Sequence, residues 1–126
     1  MISNKTKRYL ELAKRQAFQS PFSRQRHGAV LVRGGSVINA AFNSSGFNNF
    51  GYRFNRYASR HAELGAVLGL DKSITQGSTV YVVRVNNEGD YQLSKPCKMC
   101  LEAMKFCGVK RVVYTTNSKE VIQEKL

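Results

Sequence analysis

The chain has 126 residues, with 20 Lys plus Arg against 8 Asp plus Glu, a formal net charge of +12 and 42% apolar residues. The length suits one domain spanning residues 1–126 with a single core, and the apolar share excludes a disordered chain. No run approaches the ~20 apolar residues of a membrane-spanning helix, and the basic N-terminus has no apolar segment behind it, so it does not read as a secretory signal.

Residues 5–18 place Tyr9, Leu10, Leu12, Ala13, Ala17 and Phe18 at helical spacing, which predicts an amphipathic first helix ended at Ser20-Pro21. Ala29 to Val32 and Val37 to Phe42 are short apolar runs joined through Gly34-Gly35, the signature of a hairpin. Residues 43–60 have no clear period and read as a long loop. Helical spacing resumes from His61 to Leu70. Ser78 to Val85 predicts a strand with both faces buried, followed by a turn at residues 86–90. Cys97 to Cys107 has helical periodicity between Pro96 and Gly108, the expected start and stop residues. Arg111 to Thr115 reads as a strand, and Asn117 as the cap of a last short helix, Ser118 to Leu126. This alternation predicts an α/β fold: a three-layer α/β/α sandwich whose mixed sheet has about four to five strands, parallel pairs and an antiparallel edge strand from the hairpin.

The charge is uneven. Residues 1–62 hold 11 basic residues and one acid, Glu11, whereas residues 63–126 hold 9 basic and 7 acidic. Such a stretch suggests an anionic partner, phosphate or nucleic acid, or else a solubilising surface. Three cysteines, Cys97, Cys100 and Cys107, cannot all pair within one chain, which favours an intracellular protein using its thiols for metal or redox chemistry.

Two short motifs carry that chemistry: His61-Ala62-Glu63 and Pro96-Cys97-Lys98-Met99-Cys100. Separately each is weak, since a CxxC also suits a redox pair or half a zinc finger. Together, each at a predicted helix start, they supply one imidazole and two thiolates. Cys97 and Cys100 are three apart and share a helix face, and three protein ligands leave the fourth tetrahedral position of a zinc ion open. Cys107 lies about 10 Å further along the helix, beyond ligand reach, and reads as a small apolar residue. His61 and Glu63, two apart, converge only if His61 sits at the first turn.

The HAE…PCxxC pair resembles the zinc-dependent cytidine/deoxycytidylate deaminase superfamily. HGAVLVRGGSVINAAFNS is similar to that family's first hairpin, and GVKRVVYTT to its strand after the cysteine helix. The resemblance implies Zn2+ as cofactor, held by His61, Cys97 and Cys100, with Glu63 as general acid/base and a zinc-activated water attacking C4 of a cytosine. It also implies Asn43 against the sugar and backbone around Ala62 against the base. The chemistry expected is conversion of a cytosine nucleoside or nucleotide, dCMP first, to the uracil form with release of ammonia, in a cytoplasmic homo-oligomer.

The sequence departs from the family in two places. Leu64-Gly65 follows His-Ala-Glu where free-nucleotide deaminases commonly carry a variable residue and Asn. The fifth strand that usually follows the last crossover helix is expected to be missing or supplied otherwise. The 44–60 loop also interleaves Phe47, Phe50, Tyr52, Phe54 and Tyr57 with Arg53, Arg56 and Arg60. Arg53 and Arg56 are candidate substrate contacts. The pattern suits a single-stranded nucleic-acid surface, a phosphate-clamping lid, a core-packing lid, or a subunit interface. The alternative function is therefore deamination within a polymer, of cytosine in single-stranded DNA or RNA or of adenosine in tRNA. A zinc-binding relative without catalysis and a redox CxxC protein are the remaining classes; the intact Glu63 opposes the first and His-Ala-Glu the second.

Overall fold

The computed structural model describes residues 2–21, 25–45, 59–67, 69–118 and 120–126. Helix α1 (Asn4–Ala17) starts where the Ser3 side chain accepts a hydrogen bond from the Thr6 amide, and buries Thr6, Tyr9, Leu10, Ala13 and Ala17. Strands β1 (Arg26–Arg33) and β2 (Ser36–Phe42) form the expected antiparallel hairpin. Gly34 and Gly35 turn it with φ of 58° and 80°, a region that glycine enters freely. Two short strands, β3 (Ser44–Ser45) and β4 (Ser59–Arg60), pair antiparallel and close the base of the expected loop. Then come α2 (Ala62–Val67), a single turn α3 (Lys72–Thr75), β5 (Thr79–Val85), β6 (Tyr91–Gln92), α4 (Lys98–Phe106), β7 (Arg111–Thr115) and β8 (Val121–Lys125).

Five strands lie in the order β2-β1-β5-β7-β8, and β6 adds to β5 as the sixth strand of the sheet. β5 and β7 are parallel and every other neighbouring pair is antiparallel. Because β1 runs against both β2 and β5, those two point the same way, and α2 crosses between them. The carboxyl ends of β2 and β5 and the start of β1 thus meet at one edge, where ligands of open α/β sheets bind.

The sheet is covered on both faces, giving the three layers. On one face α1 packs Tyr9, Leu10, Ala13 and Ala17 on Val30, Val32, Val83, Val85 and Val113. On the other, Ala62, Ala66 and Val67 of α2 and Met104 of α4 pack on Ala29, Leu31, Val80, Val82 and Val112. Valines of both faces in β5 bear out its burial on two sides. At Gly28 the helix rests on the strand itself: a Cβ there would lie 1.9 Å from the Ala13 carbonyl oxygen.

The C-terminal segment departs from expectation. Instead of a helix over 118–126, β8 pairs antiparallel with β7, so the sheet has six strands rather than four to five. Val121 packs towards the α1 face and its neighbour Ile122 towards the opposite one, an alternation a strand allows and a helix does not. Asn117 caps no helix; its Oδ1 accepts from the Leu93 amide at 2.7 Å.

Candidate metal centre and adjoining cavity

His61 stands immediately before α2, and its carbonyl accepts the Gly65 amide at 3.0 Å. This N-cap position is the geometry that lets His61 and Glu63 converge. Cys97 is likewise the N-cap of α4, with extended backbone (φ −69°, ψ 166°), and Cys100 lies in its first turn. The segment leading into Cys97 is held by Ser94. Its Oγ donates to the Val82 carbonyl at 2.9 Å and accepts the Thr115 amide at 2.9 Å, tying it to β5 and β7. At the far end of α2, Asn39 of β2 donates to the Ala66 carbonyl at 3.1 Å, satisfying a terminal helix acceptor.

These supports bring three donor atoms together. His61 Nδ1 is 3.2 Å from Cys100 Sγ and 3.7 Å from Cys97 Sγ, and the two sulfurs are 3.4 Å apart. Tetrahedral zinc with ordinary Zn–S and Zn–N bonds spaces its ligand atoms by about 3.6–3.8 Å, so the donor set fits zinc in both chemistry and spacing. Among the described residues this is the one His/Cys/Asp/Glu group so arranged. Burial pushes the Cys100 thiol far above its ordinary range, and nearby Glu63 and Cys97 add to the shift; a bound cation reverses that balance by favouring thiolate. Cys107 lies outside the group, half-buried at the C-cap of α4 against the core.

A cavity of about 200 Å³ adjoins the cluster. His61, Ala62, Glu63 and Cys97 line one side, with Ala62 and Glu63 0% and 5% exposed. Gln25, His27, Asn43 and Lys95 complete the wall. Asn43 is buried, and its amide is engaged with backbone: Oδ1 accepts the His27 amide at 2.9 Å and Nδ2 donates to the Gln25 carbonyl at 2.7 Å. It pins the start of β1 while facing the cavity. His27 Nδ1 lies 3.3 Å from the Gln25 carbonyl, which only accepts, so Nδ1 carries the hydrogen and Nε2 is left as an acceptor. Burial lowers the His27 pKa, against an opposing pull from Glu63.

The sequence motifs single out His61, Ala62, Glu63, Cys97, Cys100 and Asn43, but not Gln25, His27 or Lys95. The signal was β1 parity: Ala29 and Leu31 face α2 and α4, so His27 falls on that face too. Arg53 and Arg56 lie outside the described residues, as do Phe47, Phe50, Tyr52, Phe54 and Tyr57 of the same loop. No helix among the described residues is long and apolar enough to cross a membrane.

Residues 3–116 match the family of the cytidine and deoxycytidylate deaminase zinc-binding region. A deoxycytidylate deaminase of Mycobacterium phage D29 is 26% identical over 129 residues, covering 87% of this chain and 93% of its own. The dCMP deaminase of cyanophage S-TIM5, solved in apo form, superposes with a TM-score of 0.67 at 24% identity, over 92% of this chain and 86% of that one. A cytidine deaminase from Burkholderia pseudomallei gives 0.67 at 21% identity, over 98% and 93%. The two structural likenesses carry the fold; the family match carries the chemistry. The chain belongs to the zinc-binding cytidine and deoxycytidylate deaminase family and is a zinc-dependent hydrolytic deaminase.

Proposed function

We propose that this enzyme deaminates a cytosine nucleotide, dCMP first, with His61, Cys97 and Cys100 holding zinc and Glu63 moving protons. The observation that carries this reading is the buried Glu63 beside the three-ligand cluster, on the wall of a cavity of about 200 Å³. The phage relative is a deoxycytidylate deaminase, and the cyanophage enzyme was also solved with dCMP and dUMP.

A zinc ion held by His61, Cys97 and Cys100 would supply Lewis-acid activation of water, lowering its pKa to about 7. Glu63 accepts the water proton as oxygen adds to C4 of the cytosine. It returns that proton to ring nitrogen N3, then takes the proton of the new C4 hydroxyl and passes it to the exocyclic nitrogen; the C4–N bond breaks as the C4 carbonyl forms, and ammonia and the uracil nucleotide remain. Burial keeps the Glu63 carboxylate away from bulk water during both transfers. Ala62, fully buried at the same wall, brings helix-start backbone to the base. A polymer substrate is the second reading, favoured by the +12 charge concentrated before Glu63.

The test is incubation of the zinc-loaded enzyme with dCMP, deoxycytidine, CMP, single-stranded DNA and a tRNA, followed by ammonia release and product mass. Fastest turnover of dCMP is expected; turnover of polymers alone overturns the reading. Glu63→Gln should retain zinc and lose at least about 100-fold in kcat, and undiminished turnover would remove Glu63 from its role.

A further inference from the structure

The cavity has a floor and an opening. Ala62 and Glu63 are 0% and 5% exposed, whereas the Lys95 side chain, on the same wall, is 54% exposed. Lys95 is the one Lys or Arg among the described residues lining the cavity. Its ammonium lies 3.9 Å from Glu124 Oε1, which also accepts the Tyr114 hydroxyl at 2.8 Å. At that distance and exposure the ion pair is weak, so Glu124, anchored by Tyr114, holds Lys95 near the opening without consuming its three donors.

A nucleotide whose base reaches the metal cluster and Glu63 extends its phosphate the other way, towards the opening. A phosphate dianion entering a cavity with a carboxylate at its floor needs a cation there. We propose that Lys95 is the residue that selects the phosphorylated substrate, pairing with the 5′-phosphate at the cavity opening and steered there by Glu124 of the terminal strand. This rests on the cytosine-nucleotide reading above.

The readout is the ratio of kcat/KM for dCMP to that for deoxycytidine, in which any inactive fraction of a variant cancels. Lys95→Met should lower the ratio at least about tenfold, the scale of one charge-assisted hydrogen bond. The loss should fall in KM rather than kcat, since the phosphate is remote from the reacting atoms. Lys95→Arg should restore most of it. An unchanged ratio in Lys95→Met overturns the assignment. A wild-type enzyme that turns over deoxycytidine as well as dCMP also overturns it, while leaving the cytosine-deaminase reading standing. A wild-type enzyme that turns over neither overturns that reading and the assignment with it.

Discussion

Asn43 shows how one side chain serves both the fold and the site. Its side-chain amide extends the β1–β2 ladder beyond Gly28 and Phe42, alongside the backbone bond from the Asn43 amide to the His27 carbonyl at 3.1 Å. Removing it leaves the partly buried His27 amide and the Gln25 carbonyl without these partners, which costs about 1 kcal/mol. Asn43→Ala should therefore lower the unfolding free energy from denaturant melts by about that amount and raise KM, because Gln25 and His27 carry two side chains of the cavity wall. Stability loss with unchanged KM would confine Asn43 to the fold. Raised KM with unchanged stability would instead favour the direct sugar contact that the family resemblance implies. The amide retains one N–H and one lone pair for such a contact.

Among the elements, those with internal pattern were legible in sequence: α1 through its 3–4 spacing, the hairpin through Gly34-Gly35, β5 through its valines. β6 and β8 were not, because two residues carry no period and because Gln123, Glu124 and Lys125 favour helix when read alone. Pairing with β7 overrides that preference. A side-chain hydrogen bond helps to fasten β8: the Tyr114 hydroxyl donates to Glu124. Tyr114 is 3% exposed, and burial first, then Glu124, push its pKa up to about 12. An unfolded tyrosine ionises near 10. The stability contributed by the raised pKa is therefore complete below about pH 10 and lost as pH climbs towards 12. Tyr114→Phe keeps the ring and loses the bond, so it should be less stable by about 1–2 kcal/mol at pH 8. The gap to wild type should close above pH 10, as followed by denaturant melts; a constant gap from pH 8 to 12 contradicts the account.

For the whole molecule, the metal ligands were legible because their residue types and spacings are dictated by coordination. The cavity wall opposite them was not, since His27 and Lys95 reach it only through sheet order and a strand absent from the sequence reading. That sheet order also bears on how much the fold depends on metal. Both apolar clusters are built from helices and strands and contain neither His61 nor Cys97. Without a cation, burial favours the neutral thiol of Cys100, so its sulfur adds no bare charge to the interior. Chelation should therefore leave the chain folded at 25 °C, unlike a small zinc finger whose folding energy is the metal's own. Zinc held by His61 and Cys97, residues 36 apart in sequence, would still cross-link the starts of α2 and α4. At free zinc about 1,000-fold above Kd this adds about 4 kcal/mol, or roughly 10–15 °C in Tm for a chain of this size. The expected result on removing zinc is an unchanged far-UV circular dichroism spectrum at 25 °C, a lowered Tm and lost turnover, all reversed by one equivalent of zinc. Unfolding on chelation would mean that the two apolar clusters do not sustain the sheet by themselves. Identical melting with and without metal would mean that the three donor atoms do not bind zinc tightly enough to bridge the helices.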